Sequence, residues 1–266
     1  MKKVILLSII LLYTGFIFAV GMNNEVNGPV KKMTIYIRVG DGDMGGGIMY
    51  GNEQVGAMAK IVYWYDSIGR LVDEANYHGD DVRGYVRQYL LNNVYMEYEY
   101  NNQGIVKGSF ARGQLDSLGN TIFTKRYRDR KQITADSTVY NEQGLKIKYF
   151  QSPYKSDSLE LRYTYEYDSL GRLSKYYDYS KGEINISYEM IYYPNGSYTE
   201  RATDKEGKTW NVKYTADKNG NIIKIESTNM SAQYSKFDKY DNWLILKGVT
   251  HKVAKTTTER VIEYYE

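Results

Sequence analysis

Tyr63 to Leu71 reads Y-W-Y-D-S-I-G-R-L, and Tyr165 to Leu173 reads Y-E-Y-D-S-L-G-R-L, about a hundred residues further on. Weaker copies stand at Tyr98–Ile105, Gln114–Thr121, Val139–Leu145, Ile191–Ser197, Tyr214–Ile222 and Lys236–Leu244, the last with Asp241 where the others carry Gly. Each has a turn chemistry. Asp or Asn opens the turn because its side chain accepts bonds from backbone N–H groups two residues on, and Gly closes it in the left-handed region. Asp66 with Gly69 and Asp168 with Gly171 are the clearest cases. The turn markers Gly119, Gly144, Gly171, Gly196, Gly220 and Asp241 are spaced 25, 27, 25, 24 and 21 residues apart, which is room for two strands and two turns.

The flanks of these turns alternate. Leu159, Leu161, Tyr163, Tyr165 and Tyr167 are apolar or aromatic between the polar Glu160, Arg162, Thr164 and Glu166, and Trp210, Val212, Tyr214 and Ala216 alternate in the same way. A period of two means half-buried strands. No stretch of a dozen residues beyond the N-terminus carries a helical apolar period. The expected fold is therefore all-β: consecutive antiparallel hairpins, about fourteen to eighteen strands, in a long twisted or coiling sheet. Tyr is the material of these strands, with 30 in 266 residues beside 6 Phe and 3 Trp. So aromatic a chain is not disordered.

The Y-x-Y-D-x-x-G-R-L unit resembles the YD repeat of bacterial Rhs proteins and of the animal teneurins. The F-D-K-Y-D-N-W segment resembles the close of shorter secreted bacterial relatives. The resemblance runs from about Ile61 to Leu246 and implies hairpins laid side by side. In large members of that family the sheet encloses a toxin or other cargo; this chain is too short for such a shell and shows no toxin segment after the repeats. What the resemblance implies here is a short member acting in the envelope or outside the cell.

Lys2 and Lys3 precede Val4 to Val20, a nearly unbroken apolar run, and Ala19 and Gly21 are small residues suited to cleavage before Met22. Residues 1–21 are thus expected to be a signal peptide, with a retained anchor helix as the rival. Residues 22–60 are expected to hold an N-terminal strand and a Gly-rich loop, and 61–266 the hairpin domain. With no Cys there is no disulfide, thiolate metal site or lipid-modified anchor. Net charge is only +3, and about +1 without Lys2 and Lys3, so no nucleic-acid partner is expected. The expected location is the periplasm or cell surface, without membrane insertion after signal cleavage. An open sheet would leave edges, and a homodimer through an edge strand follows from that.

The residues that could carry chemistry are few. His78 with Asp80 and Asp81 could form a metal or acid/base group, but the setting Y-H-G-D-D reads as a polar loop tip. His251 lies in an alternating strand. Asp41 and Asp43, in the Gly40–Gly47 loop, fall short of a calcium-loop pattern. No catalytic residue, metal site or cofactor is expected, and the chain is read as non-enzymatic. Its expected function is contact with glycan or protein through an aromatic face. Trp64, Trp210 and Trp243 are the candidate anchors, joined by the adjacent pairs Tyr176–Tyr177 and Tyr192–Tyr193, where one ring of each pair must face away from the other. The alternatives are an outer-membrane β-barrel, a secreted hydrolase, and an immunity partner for a toxin. Thr199–Lys208, polar on both faces, and the charges on the face of the last strand made by Thr258, Arg260, Ile262, Tyr264 and Glu266 argue against the barrel.

Overall fold

The computed structural model describes residues 26–39, 48–50, 53–55, 58–78, 80–228, 230–250 and 254–266. The expected signal peptide, the Gly40–Gly47 loop with Asp41 and Asp43, and His251 lie outside the described residues. The elements are β1 (Val30–Val39), β2 (Ile48–Tyr50), β3 (Glu53–Val55), β4 (Met58–Tyr65), β5 (Leu71–His78), β6 (Asp81–Tyr89) and β7 (Val94–Asn101). They continue with β8 (Gly104–Leu115), β9 (Thr121–Arg128), β10 (Lys131–Tyr140), β11 (Lys146–Gln151), β12 (Glu160–Tyr167), β13 (Leu173–Ser180) and β14 (Glu183–Tyr192). The last are β15 (Tyr198–Asp204), β16 (Thr209–Ala216), β17 (Ile222–Glu226), β18 (Met230–Phe237), β19 (Trp243–Thr250) and β20 (Ala254–Tyr264). Among the described residues there is no helix. The all-β, antiparallel reading stands.

The turns form as the side chains dictate. Asp168 Oδ1 accepts from the backbone N–H groups of Leu170 (3.0 Å) and Arg172 (2.9 Å), and Gly171 closes the turn at φ 73°. Asp66, Asp116, Asp204, Asp217 and Asp238 make the same pair of bonds to residues two and four positions on. Asp241 stands in the Gly slot at φ 63°, a conformation its short polar side chain tolerates.

Burial opposes ionisation of Asp66, Asp116, Asp168, Asp217 and Asp238, but the turn N–H groups and the side chains of their neighbours outweigh it and hold all five below the ordinary value of 3.8. Their folded-state values are depressed, so the stability they contribute is present above the ordinary carboxylate range and is lost as pH falls through the lowered values. Melts taken between about pH 6 and about pH 2 should show an acid limb that is shallower in Asp66→Asn/Asp168→Asn than in the parent. An identical limb would mean that these turns are not where acid acts.

β4 to β20 pair in sequence order, and β1 pairs with both β20 and β4, so the pairing order of this 18-stranded sheet has no free end. The expectation of an open or coiling sheet is corrected by that closure, and with it the edge-strand homodimer, because no strand of this sheet keeps an unpaired side. β1 supplies the closure: Met33 and Ile35 are fully buried on one of its faces, opposite Tyr63 and Ile61 on β4 and Ile262 and Arg260 on β20.

The chain divides into two compact units. The first draws on Met1–Arg83, Tyr192–Thr199 and Val212–Glu266. One of its cores gathers Val30, Met33, Ile35 and Tyr63, and the other Val212, Tyr214, Ile225, Ala232, Tyr234 and Leu246. Its chain ends are tied by side chains the repeat reading did not single out. Asn242 Oδ1 accepts from Asn27 N–H (2.7 Å) while its Nδ2 donates to the Asn27 carbonyl (3.0 Å), and Tyr265 Oη donates to the Tyr65 carbonyl (2.6 Å). The second unit is Gly84–Ile191 with Glu200–Asn211.

Candidate functional site

Five tyrosines on four neighbouring strands of the second unit line up on one face. Register sets Tyr149 opposite Tyr163, Tyr165 opposite Tyr176 and Tyr176 opposite Tyr188. Ring centroids follow at 6.0 Å for Tyr149–Tyr163, 6.3 Å for Tyr163–Tyr165, 6.2 Å for Tyr165–Tyr176 and 4.0 Å for Tyr176–Tyr188, the last pair nearly parallel at 8°. They share a face because the side-chain period of a strand is two, and cross-strand partners meet at van der Waals distance.

Carboxylates punctuate the platform. Asp136 accepts from Tyr149 Oη (2.9 Å) and from Arg126 Nη1 (2.6 Å). Asp178, opposite Tyr163, takes one bond from Asn185 at Oδ2 (3.2 Å), while its buried Oδ1 has no hydrogen-bond partner among the described residues. Glu200 is 4% exposed, and both it and Asp178 bear electrostatically on Tyr188. Rings that offer apolar faces beside carboxylates can hold a ligand that carries both C–H faces and hydroxyl donors.

The candidates named from sequence do not form one row. Tyr176 is 9% exposed, inside the platform, and Tyr177 faces the opposite side between Thr164 and Ser187. Trp210 belongs to the second unit. Trp64 lies in the first, on the face opposite to the buried Tyr63. Trp243 is half-buried against a core, with Tyr234 at 5.3 Å and the Arg260 guanidinium 3.6 Å from its ring centroid. Tyr192 packs against Tyr198 at 5.3 Å, and Tyr193 is 44% exposed with its hydroxyl 3.2 Å from Thr199 Oγ1. The platform rings Tyr149, Tyr163, Tyr165 and Tyr188 were not among the candidates named from sequence; the alternation over Leu159–Tyr167 was the signal for Tyr163 and Tyr165, and Tyr149 and Tyr188 join them only through strand pairing. Glu200 escaped too, because it sits in a segment that reads as polar on both faces. Among the described residues no group of three His, Asp or Glu stands as a metal site.

The expectation of no membrane insertion is also corrected. A sheet whose pairing order closes leaves no backbone edge unsatisfied, and closed sheets and helices are the structures that can cross lipid. Among the described residues no helix is long and apolar enough to cross a membrane, which says nothing of strands.

No protein-family model matches the chain, and no curated protein matches it. Solved structures do. A porin-like protein from Bacteroides uniformis aligns over 90% of this chain and 99% of its own, at 11% identity and TM-score 0.46. A porin-like protein from Bacteroides vulgatus aligns over 89% of this chain and 98% of its own, at 12% identity and TM-score 0.28. The Photorhabdus luminescens Tc holotoxin pore aligns over 77% of this chain and 15% of its own, at 10% identity and TM-score 0.39.

Proposed function

We propose that this chain is a non-enzymatic outer-membrane β-barrel protein whose tyrosine platform is its contact surface for hydroxyl-bearing solutes such as glycans. The observation that carries the reading is the closed pairing order, with β1 hydrogen-bonded to both β20 and β4. Antiparallel hairpins in sequence order with such a closure are the plan of outer-membrane barrels. Kinship with the YD-repeat proteins is part of the proposal, supported by the recurring Asp-x-x-Gly turns. So is export by the N-terminal segment.

Fractionation of native cells tests the reading. The protein is expected in the outer-membrane fraction, resistant to an alkaline carbonate wash and released by detergent. Release by carbonate alone would overturn a spanning barrel.

One observation favours a second reading. Lys224, Gln233, Lys247 and Thr257 are register partners across β17 to β20, and the first three are exposed. Each lysine of such a row would cost about 2–4 kcal/mol if it faced lipid at mid-depth. On that reading the barrel stands in water at the membrane and reaches it through one end, and carbonate release is the expected outcome.

A further inference from the structure

We infer that one end of the second unit is a docking surface for an anionic bilayer, made of cations and apolar side chains carried on four successive hairpin turns. The inference deepens the outer-membrane reading by naming the lipid chemistry, but it does not require the strands to span.

Consecutive antiparallel strands put alternate turns at the same end. The connections β7–β8, β9–β10, β11–β12 and β13–β14 therefore share one end, together with β15–β16, whose Lys205 and Lys208 stand against Asp204 and Glu206, and β6–β7, β8–β9, β10–β11 and β12–β13 share the other. Backbone bonds join two of the three neighbouring pairs among these four: Arg130 N–H donates to the Gly108 carbonyl (3.5 Å) and Lys155 N–H to the Ile133 carbonyl (2.8 Å).

Three of these four turns hold a basic residue in the left-handed region: Arg130 at φ 63°, Lys155 at φ 59° and Lys181 at φ 53°. Gly, Asn or Asp is the ordinary occupant of such a position, and a long side chain there is strained. Asn92, Asn93, Asp129 and Asp241 are the ordinary kind; among the described residues the other non-Gly cases are these three and Lys236. A costly conformation that recurs with one chemistry at one end points to a task for the charge.

Apolar side chains stand beside them. Ile105 is 55% exposed, Tyr154 63%, Leu159 39% and Ile184 45%, one or more on each turn except that of Arg130. Lys107, Arg128 and Lys131 are also exposed at this end, against the carboxylates Asp129, Asp157, Glu160 and Glu183. Gln132 Nε2 donates to Asp157 (2.7 Å). The opposite end differs in charge and not in apolar exposure: its turns carry Asp116, Glu142 and Asp168 against Arg172, which is paired with Asp168 at 2.7 Å, with Lys146 at the head of β11, and Leu90, Leu91, Leu118 and Leu170 are exposed there, so the sign of the charge is what sets the first end apart. Cations interspersed with exposed apolar groups suit a phosphate headgroup layer, where ammonium and guanidinium meet phosphate and the apolar groups enter the acyl boundary.

The test is flotation of the purified full chain with vesicles of phosphatidylglycerol and phosphatidylethanolamine, and with vesicles of phosphatidylcholine alone. The parent should float with the anionic vesicles at low salt and not with the neutral ones. Arg130→Gly/Lys155→Gly/Lys181→Asn removes the three charges and relieves the left-handed strain, so its melting temperature should be unchanged or higher. Its partition should fall about fivefold per cation, on the order of a hundredfold in all. Lys213→Gln/Lys224→Gln/Lys247→Gln, equal in charge but on the strands of the first unit, should float like the parent.

Parental flotation of the turn variant, equal binding to neutral vesicles, or binding to heparin or DNA in place of vesicles would overturn the inference. The two readings fail separately. Carbonate release from cells with flotation intact removes the spanning barrel and keeps the docking end, whereas detergent-only extraction with no flotation does the reverse.

Discussion

Gly113→Ala is expected to destabilise the protein by about 2–4 kcal/mol, far beyond the roughly 1 kcal/mol that β-propensity alone spans in a strand. Gly113 lies in β8 between Tyr95 on β7 and Thr124 on β9, and the Tyr95 ring crosses the space where a side chain would be. A Cβ there would meet Tyr95 Cζ at 2.0 Å and Oη at 2.4 Å. The ring cannot move away without loss. It is 3% exposed, its hydroxyl is 2.9 Å from Thr124 Oγ1, and the Arg87 guanidinium lies 4.4 Å from its centroid. An aromatic ring covering a glycine of the neighbouring strand is a known way to secure a sheet at a position that lacks a side chain. Denaturant titration of Gly113→Ala, Tyr95→Ala and the double variant gives the coupling directly. The double variant should cost at least about 1 kcal/mol less than the sum of the single ones. Additive costs, or a Gly113→Ala variant within about 0.5 kcal/mol of the parent, would show that the ring adapts freely.

Tyr214→Ala is the second large effect, about 3–5 kcal/mol, which is much of the 5–15 kcal/mol that holds an ordinary domain folded. Tyr214 is 1% exposed in the core of Val212, Ile225, Ala232, Tyr234 and Leu246. Its ring stacks on Tyr198 at 4.3 Å and 10°. Truncation would remove that stack and leave a cavity that neighbours held by ladder hydrogen bonds cannot fill. Tyr193→Ala is the control: at 44% exposed, its loss should cost under about 1 kcal/mol. Thermal or urea melts of both variants decide the matter. Equal costs would mean that burial does not sort the tyrosines of this chain.

Those two tyrosines also mark what could be read ahead of the fold. Alternation placed Tyr214 with Trp210 and Val212 on one strand face, and the face is the buried one. Tyr193 follows Tyr192 directly, so one of the two had to turn outward, and Tyr193 did. The sequence did not say which of many tyrosine faces would gather into a platform, because that depends on which strands become neighbours and in what register. Tyr176 meets Tyr188 across β13 and β14 only after the register shift between Asp178 and Tyr179. Trp243, a candidate anchor by sequence, has the guanidinium of Arg260, seventeen residues on, stacked over its ring, a contact that only the pairing of β19 with β20 brings about.

Local chemistry determined the elements. Asp and Asn oxygens reach backbone N–H groups two and four residues on, and Gly takes positive φ without steric cost, so turns, hairpins and the all-β class were legible residue by residue. Closure was decided by tertiary structure alone. Whether β20 would keep a free edge or find β1 depends on contacts more than two hundred residues apart, such as Lys32 with Glu263 (2.8 Å) and Asn27 with Asn242. No periodicity within a strand encodes the identity of its partner. A strand's alternation states which side is apolar, and only the accumulated twist and register of all the hairpins bring the first strand to the last.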